Sequence, residues 1–400
     1  MADTLYFSRD TRVFINKGSQ VWEIPVLDGF SFSQTTNSSE ITLNEMSDVS
    51  GNSRRGRQMF NDSYAPAEWS FSTYARPFLS AGGTLGTAAS GVYPADSTAS
   101  QHAVEEVLWA QMVGTGVWTA GDFANHTSGV GAGEDLDISF SGSNKTTLGE
   151  IDIYFVMGGA GSASKTTYRV TGAVINEASL DFDIDGITTI AWSGMGTKLE
   201  DITGTAVSAA GLATTGVITP TINEGVTTTT NFIRNRLTNL VMTTVDDHLL
   251  ATNDPAIGAD ADTDIETYAL VLTGGNVTIS NNMTFLTPET LGVVNQPLGH
   301  VTGTRSVSGS FTCYLNSEAS SSADLFERIL EDNDTITNDF NMVFNVGGTT
   351  APFIQMTMTD CHLELPTHSI DDVISLEVNF HALPSTIEGA DELSIIYKGV

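Results

Sequence analysis

The chain has 400 residues, 40% of them hydrophobic and 16% charged, which is enough for two or three folded domains with buried cores. Its 48 acidic and 16 basic residues give a net charge of -32, which excludes the basic surface of a protein that grips nucleic-acid phosphates. Two cysteines, no long apolar run and no signal-like start argue against a disulfide-built secreted protein and a membrane-spanning protein.

Short segments of alternating apolar and polar residues dominate the chain and predict β-strands. The clearest are residues 137–140, 151–157, 179–184 and 375–380. Two segments have apolar residues at helical spacing, residues 101–112 and residues 322–331, with Ser321 or Ser322 as candidate N-cap of the second. The sequence therefore predicts a mainly β protein with two helices.

Similar segments recur in the same order in both halves of the chain, which indicates a tandem duplication. Ser70-Phe-Ser-Thr-Tyr resembles Ser310-Phe-Thr-Cys-Tyr, and a predicted helix follows each. Ile151-Asp-Ile-Tyr-Phe-Val-Met-Gly-Gly likewise matches Phe340-Asn-Met-Val-Phe-Asn-Val-Gly-Gly. A stretch rich in Gly, Thr and Ala separates the copies. We predict domains at residues 1–200 and 231–400, joined by a linker at residues 201–230.

Catalytic and metal-binding patterns are incomplete. Residues 260–266 have the alternating carboxylates of a calcium loop without its glycine and its final glutamate. Among seven histidines, His362 and His368 are the closest pair, and Pro366 between them favours a turn over a metal site. Cys313 and Cys361 are interpreted as free buried thiols. No nucleophile is found with a base, so we expect no enzyme, no cofactor and no metal.

Three carboxylates alternate along one predicted strand: Asp181, Asp183 and Asp185. Alternate residues of a strand share one face of the sheet. That face is either simply solvated or a negative surface with a purpose, and the pattern alone leaves both interpretations open.

Two long polar stretches, residues 34–64 and residues 281–303, lie between clean strands at equivalent places in the two copies. They exceed ordinary hairpin loops of about two to five residues. The first stretch contains three guanidiniums within four residues, Arg54, Arg55 and Arg57. The stretches are either mobile surface loops or contact loops, and the arginines either a solvated basic patch or a binding group.

Long motifs carry a family resemblance. In the first copy they are Gly29-Phe-Ser-Phe-Ser-Gln, Arg54-Arg-Gly-Arg-Gln-Met-Phe and Pro66-Ala-Glu-Trp-Ser-Phe-Ser-Thr-Tyr. In the second copy they are Gly274-Gly-Asn-Val-Thr-Ile-Ser-Asn-Asn-Met, Thr304-Arg-Ser-Val-Ser-Gly-Ser-Phe and Leu365-Pro-Thr-His-Ser-Ile-Asp-Asp-Val. The chain thereby resembles, over nearly its whole length, the major tail tube proteins of long-tailed bacteriophages, and most nearly the tandem-domain kind of T-five-type siphophages. Some relatives continue into an immunoglobulin-like decoration domain, which we do not expect here.

The resemblance implies two tandem β-sandwich or barrel-like domains, each with one flanking helix and a long inter-strand loop. Such domains form rings that stack into a hollow tube, so a two-domain chain would build a six-domain ring from three copies. Double-stranded DNA would pass the lumen without specific binding, repelled by acidic walls for which Asp181, Asp183 and Asp185 are candidates. The implied partners are the chain itself and tape-measure, terminator and tail-tip proteins, without a membrane. The protein would be part of the virion, made and assembled in the host cytoplasm.

The resemblance also makes the two long stretches candidates for contacts between rings or subunits. The candidate residues are Arg54, Arg55, Arg57, Gln34, Asn37, Glu40, Asn282, Thr287 and Asn295. Arginines there would bind carboxylates of an acidic neighbour. Two other classes stay open. One is the tube protein of a contractile tail or secretion machine, which needs a sheath; the other is a β-sandwich surface adhesin.

Overall fold

A computed structural model describes residues 6–17, 20–41, 48–52, 57–79, 101–114, 135–140, 148–158, 165–203, 217–218, 229–244, 267–288, 290–332, 340–370 and 372–400. These residues form 25 β-strands and two α-helices, which confirms the mainly β fold predicted from alternation. None of the described helices is long and apolar enough to cross a membrane. The predicted acidic loop at residues 260–266 lies outside the described residues.

Residues 1–218 contain fourteen of these strands and one helix. They are β1 (Arg12–Lys17), β2 (Gln20–Ile24), β3 (Ser31–Ser33), β4 (Thr36–Glu40), β5 (Met59–Tyr64), β6 (Ala67–Tyr74), β7 (Pro77–Leu79), β8 (Gln101–Ala103), α1 (Glu106–Val113), β9 (Leu136–Ser139), β10 (Ile151–Met157), β11 (Thr166–Asp183), β12 (Thr189–Gly196), β13 (Lys198–Asp201) and β14 (Val217–Ile218).

The second half contains eleven strands and the other helix. They are β15 (Asn239–Thr244), β16 (Thr267–Leu270), β17 (Leu272–Ser280), β18 (Thr284–Leu286), β19 (Gly299–Val301), β20 (Ser306–Tyr314), α2 (Ser322–Asp332), β21 (Phe340–Val346), β22 (Phe353–Leu363), β23 (Thr367–Ile370), β24 (Ile374–Leu383) and β25 (Ser394–Lys398).

Helix α1 begins later than the helical spacing predicts, so that prediction is wrong for residues 101–105. Residues 101–103 form β8, which pairs with β7, and the side chain of Gln101 accepts a hydrogen bond of 2.8 Å from the backbone N–H of Gly399. All eight residues of α1 are buried, so an apolar stripe does not mark its limits. Tertiary contacts, not local pattern, decide where this helix starts.

Helix α2 matches the predicted helix closely, and Ser321 stands at its N-cap position, where its carbonyl accepts the N–H of Leu325 at 3.0 Å. The serine hydroxyls, however, donate outside the helix. The hydroxyls of Ser321 and Ser322 donate to the carbonyls of Asn316 and Tyr314, at 2.6 and 2.7 Å. The carboxylate of Asp324 instead accepts the backbone N–H of Ser320 at 2.7 Å. A first-turn aspartate thus satisfies a backbone donor just before the helix.

Strand pairing follows one order in both halves. In the first half β1 pairs with β2 and β10, β10 with β11, β11 with β12 and β13, β12 with β6, and β6 with β3. In the second half β15 pairs with β16 and β21, β21 with β22, β22 with β24 and β25, β24 with β20, and β20 with β17. All these pairs are antiparallel, and β3 and β17 hold equivalent places at the ends of the two series.

Large aromatic side chains fill the core between the sheets. Trp22, Trp69, Trp109 and Trp192 are almost completely buried, and the rings of Trp109 and Trp192 meet edge-on with centroids 4.8 Å apart. Edge-to-face packing of this kind adds to the gain from burial. Because Trp109 lies on α1 and Trp192 on β12, the contact fixes the helix against the sheet.

Candidate functional site: a polar sheet face with open edges

Eight strands run side by side in the order β3, β6, β12, β11, β17, β20, β24, β23. Their residues alternate between the core and the outside, as expected for a sheet with one solvated face. We call the outward side the polar sheet face. It is made by Ser31, Glu68, Ser70, Ser72, Glu177, Ser179, Asp181, Asp183, Ser193, Asn276, Thr278, Ser308, Ser310, Thr312, Glu377, Asn379 and His381.

The polar sheet face is negatively charged. Its carboxylates are those of Glu68, Glu177, Asp181, Asp183 and Glu377, and residues 177–183 and the seven other strands contain no Lys or Arg. At its margin, the amide of Asn379 and then His381 hold the pKa of Glu364 below its usual range, so this carboxylate stays ionised. These strand segments therefore offer a phosphate backbone no lysine or arginine partner.

Short side chains bond across this face. The hydroxyls of Ser31 and Ser70 lie 2.8 Å apart, and those of Ser179 and Thr278 lie 3.0 Å apart. Cross-strand hydroxyl pairs of this kind stabilise a sheet without bulk. The result is a flat, hydroxyl-rich surface.

The two halves of the chain meet in the middle of this face. The end of β11 pairs with β17 through seven residue pairs, from Glu177 with Ser280 to Asp183 with Gly274. A Cβ on Gly275 would approach the carbonyl of Ser310 to 2.6 Å and the ring of Phe182 to 2.7 Å, so only glycine allows this close approach. We call this pairing the internal joint.

Asparagines lock the end of the internal joint. The backbone N–H of Asn281 donates to the carbonyl of Asn176 at 2.8 Å, and the N–H of Met283 donates to Asn176 Oδ1 at 2.9 Å. The buried Asn281 amide also donates to the carbonyls of Ile175 and Met112, both at 3.2 Å. Sequence reasoning missed Asn281 and Asn176, because nothing local marks them as partners.

Two strands of the eight-strand run, the first and the last, have an open edge among the described residues. Strand β3 pairs only with β6, and β23 pairs only with β24. An edge of this kind presents unpaired N–H and C=O groups that can take another strand. The open edges are the outer limits of the eight-strand run.

The long polar stretches contain hairpins. Strands β4 and β5 pair within the first stretch, and β18 and β19 pair within the second. Asn295 joins the two hairpins: its N–H donates to the carbonyl of Asp62 at 3.1 Å, and its carbonyl accepts the N–H of Tyr64 at 2.9 Å. We call the joined pair the hairpin arm.

The candidate contact residues at the base of the first hairpin make bonds within the chain. Gln34 donates to the carbonyls of Ala65 and Thr197, at 2.8 and 3.2 Å, and accepts the N–H of Leu199 at 2.9 Å. The Asn37 amide donates to Ser63 Oγ at 2.9 Å. These two side chains anchor the hairpin arm.

Arg57 and Glu40 form a bidentate ion pair inside the same hairpin, with both contacts at 2.5 Å. This pairing lowers the pKa of Glu40 and raises that of Arg57. Arg54 and Arg55 lie outside the described residues. The guanidinium of Arg57 therefore already has a carboxylate partner in its own chain.

In the second hairpin the predicted contact residues differ in their surroundings. Asn282 has a φ of +47° and donates to the carbonyl of Thr304 at 2.8 Å, which suits its left-handed backbone at the hairpin base. Thr287 is half-buried just after β18. The amide oxygen of Asn295 accepts the N–H and hydroxyl of Thr290, at 3.0 and 2.9 Å.

The three candidate acidic residues separate into two groups. Asp181 and Asp183 are exposed on the polar sheet face, in line with their alternation. Asp185 lies in the turn after β11, where its carboxylate contacts Arg236 at 3.3 Å. The structure thus brings two of them together on one face.

The histidines and cysteines considered in the sequence have the following surroundings in the described part of the chain. No cluster of three or more His, Cys, Asp or Glu there has the arrangement to hold a metal ion. His368 packs edge-on against Phe326, with ring centroids 4.8 Å apart. Cys313 and Cys361 are buried and form no disulfide, and burial raises the pKa of Cys313 to about 11.

A buried polar cluster ties the last strand to the first half of the chain. Strand β25 pairs with β9, and the indole N–H of Trp109 donates to the hydroxyl of Tyr397 at 2.7 Å. Tyr397 also hydrogen-bonds Glu105, whose pKa is raised to about 7 by burial. Sequence reasoning missed this cluster, although two adjacent glutamates before an apolar helix were a visible signal.

The chain is similar to a known protein over almost its whole length. No family model matches the sequence. The chain is 28% identical over 399 residues to the tail tube protein pb6 of Escherichia phage T5, and the alignment covers 97% of this chain and 75% of that protein. This match confirms the resemblance found in the motifs, and it supports a structural role in a tail tube and a place in the virion tail.

Proposed function

We propose that this chain, a structural tail tube protein of the T-five type, closes into rings of three copies by repeating its internal joint between chains. The internal joint carries this proposal. In it, the C-terminal end of β11, which pairs with β12 on one side, pairs with β17 on the other, and β17 in turn pairs with β20. We infer that β23, which pairs with β24, also pairs with β3 of a neighbouring copy, where β3 pairs with β6.

The equivalence of the two halves supports this pairing. Strand β17 and strand β3 hold the same place in the two pairing series, but only β17 has a second partner. Strands β22 and β23 pair with successive parts of β24, and in the first half the C-terminal part of β11 pairs with β12 in the corresponding way. Strand β23 therefore corresponds to the end of β11. A second copy can therefore pair with β3 and β23 in the way that β17 and the end of β11 already pair within one chain.

A head-to-tail contact generates a closed ring when its rotation closes. Two equivalent units in each chain, taken here as residues 1–200 and 231–400 with a linker at residues 201–230, give six units from three chains. Closure pairs both open edges of every copy, which removes the exposed backbone groups. The ring is then the state in which the sheet is complete.

We infer that the polar sheet face lines the channel. A duplex carries one negative charge per about 1.7 Å of its axis, and charges are felt over a Debye length of about 8–10 Å. The carboxylates of Glu68, Glu177 and Asp181 repel such a polymer, and no Lys or Arg lies in the eight strand segments of this face to hold it. The face suits passage of DNA without binding, which is a structural task and requires no catalysis.

Tape-measure, terminator and tail-tip proteins are the further partners that we propose, together with assembly in the host cytoplasm. These partners follow from the likeness to a phage tail tube protein. The hairpin arm is the proposed contact to a neighbouring ring.

Disulfide trapping tests the ring contact. Ser31→Cys on β3 is combined with Thr367→Cys or Ser369→Cys on β23, whose residues are exposed. Mild oxidation should give covalent dimers and trimers and no larger ladder, and averaged electron micrographs should show rings of three chains. The control combines Ser31→Cys with Ser308→Cys on β20, inside the strand run, and should stay monomeric on a non-reducing gel. Ladders that stop at six chains would sink the three-copy ring.

A further inference from the structure

The last strand of the second half is built into the first half. We call residues 393–400, which contain β25, the closing segment. Residues 394–397 pair antiparallel with all four residues of β9, and β9 has no other strand partner among the described residues. Just beyond this pairing, the ammonium group of Lys398 contacts the carboxylate of Asp135 at 2.6 Å. Strand β9 thus depends on a partner from the other half of the chain.

Helix α1 and strand β8 of the first half also bond to the closing segment. The indole N–H of Trp109 on α1 donates to the hydroxyl of Tyr397 at 2.7 Å. Gln101 on β8 accepts the N–H of Gly399 at 2.8 Å and donates to its carbonyl at 3.3 Å. These bonds join residues that are 288 and 298 positions apart in the sequence. Contacts of such long range are slow to form, because the entropy of closing a long loop opposes them.

Gly399 fits a space that admits no side chain. A Cβ at this position would lie 2.5 Å from Cα and 2.6 Å from the backbone N of Phe78, on β7. Glycine permits another backbone to approach this closely. Phe78 is completely buried, and Leu393, Ile395 and Tyr397 are at most 1% exposed. The closing segment is therefore part of the core of the first half and does not lie on its surface.

The helix of the second half is anchored by near neighbours instead. The hydroxyl of Ser322, the first residue of α2, donates to the carbonyl of Tyr314 and accepts the N–H of Asn316, both at 2.7 Å. These partners lie eight and six residues away in the sequence. The bonds around α1, in contrast, reach Tyr397 and Gly399. The two halves thus differ in how far along the chain their helices find support.

We propose that the first half of the chain completes its fold only after the closing segment has been synthesised and has docked. Without the segment, β9 has no strand partner, and the buried polar groups of Trp109, Glu105 and Gln101 lose the bonds described above. Buried polar groups that lose their partners destabilise a fold strongly. Domains of a tandem protein generally fold one after another during synthesis, the N-terminal one first. Here the closing segment makes the two halves one folding unit.

The dependence protects the open edges during synthesis. A first half that folded alone would present β3 while β23 was still unmade, and unpaired edges of neighbouring nascent chains can pair wrongly. Because the closing segment follows β23 in the sequence, the first half is complete only when both edges exist. The inference concerns the folding of one chain and holds whatever the number of copies in a ring.

Ribosome-stalled chains test the order of folding. The same unstructured linker, long enough to clear the exit tunnel, follows residue 230, residue 386 or residue 400, so the third chain alone has the closing segment outside the ribosome. A protease-resistant fragment containing residues 1–200 should form in the third chain and in released protein, with at least tenfold less in the other two chains. Equal resistance in either shorter chain would overturn the inference, as would a third chain as sensitive as they are.

Two glycine variants of the full chain give a second measurement. Gly399→Val sets a branched side chain against β7, whereas Gly299→Val adds the same side chain where nothing lies within 4 Å of the new Cβ. All five tryptophans lie in residues 1–200, so tryptophan emission reports on the first half. In the unassembled protein, the urea midpoint followed by this emission should fall by about 1 M in Gly399→Val and stay unchanged in Gly299→Val. Equal midpoints in the two variants would contradict the need for docking and overturn the inference.

Discussion

Glu105 is the residue whose surroundings depart most from those of an ordinary carboxyl group. It is fully buried, it accepts the backbone N–H of Arg76 at 3.3 Å, and it hydrogen-bonds Tyr397 from the far end of the chain. Burial favours the neutral acid and raises its pKa to about 7 from 4.5. A group whose pKa is raised by folding stabilises the folded state below the unfolded pKa and loses this contribution as the pH rises through 7.

We therefore predict that Glu105→Gln flattens the pH dependence of stability. The neutral amide keeps the hydrogen-bonding capacity but cannot ionise. The drop in unfolding free energy of the unassembled protein between pH 5 and pH 8 should shrink by about 3 kcal/mol. Denaturant titrations at both pH values measure it. Glu377→Gln, at an exposed position, should leave the drop as it is. An unchanged drop in Glu105→Gln would show that this carboxyl does not titrate in the folded state.

The arginines of the hairpin arm give a second prediction at this scale. Arg57 is paired with Glu40, so a role in binding a neighbour falls first to Arg54 and Arg55. Changing Arg54, Arg55 and Arg57 to Glu adds negative charge to a chain whose net charge is already -32, and repulsion between copies opposes association until salt screens it.

The triple variant should fold, need more salt to form tubes and form shorter tubes. Exposed pairs of this kind contribute about 0–1 kcal/mol each, so the effect depends on repetition around each ring. Tube length in micrographs across a salt series is the measurement. Normal tubes at low salt would remove these arginines from the contact.

Among the elements, the hairpin arm is the one that we propose to contact a neighbouring ring. Deleting residues 48–56 removes the tip of the first hairpin and leaves β4, β5 and the bonds of Asn295 at its base. The shortened protein should stay soluble and folded, because the core lies elsewhere, and should no longer polymerise. Circular dichroism and electron microscopy together check both parts. Tubes of normal length from the deletion would count against the arm.

The elements also show what the sequence can predict. Strand alternation predicted β10 to the residue, although both of its faces are largely buried, and it predicted residues 375–380 of β24, where buried and exposed positions alternate. The start of α1 could not be predicted from the sequence, because Gln101 lies in a strand and accepts a hydrogen bond from Gly399 at the other end of the chain. The hairpins in the long stretches were missed because their strands are short and mostly exposed. In the candidate site, Asp181 and Asp183 could be placed on one face, but the Asn281 and Asn295 bonds depend on distant partners.

At the scale of the whole molecule, the distribution of charge matters more than any pair. The chain carries a net charge of -32, and the eight-strand run keeps its carboxylates on one side without cations. Mutual repulsion among stacked copies opposes assembly and is weakened by salt.

The internal joint between β11 and β17 has a consequence for the speed of assembly. Because both strands belong to one chain, their encounter needs no diffusion of separate molecules, and the tether sets a local concentration in the millimolar range. Within the proposed ring, half of the joints are already made when the chain has folded. A ring of three chains, each with one joint already made, forms at a rate that depends on a lower power of protein concentration than a ring of six separate units. Nucleation can therefore start while the protein is still dilute.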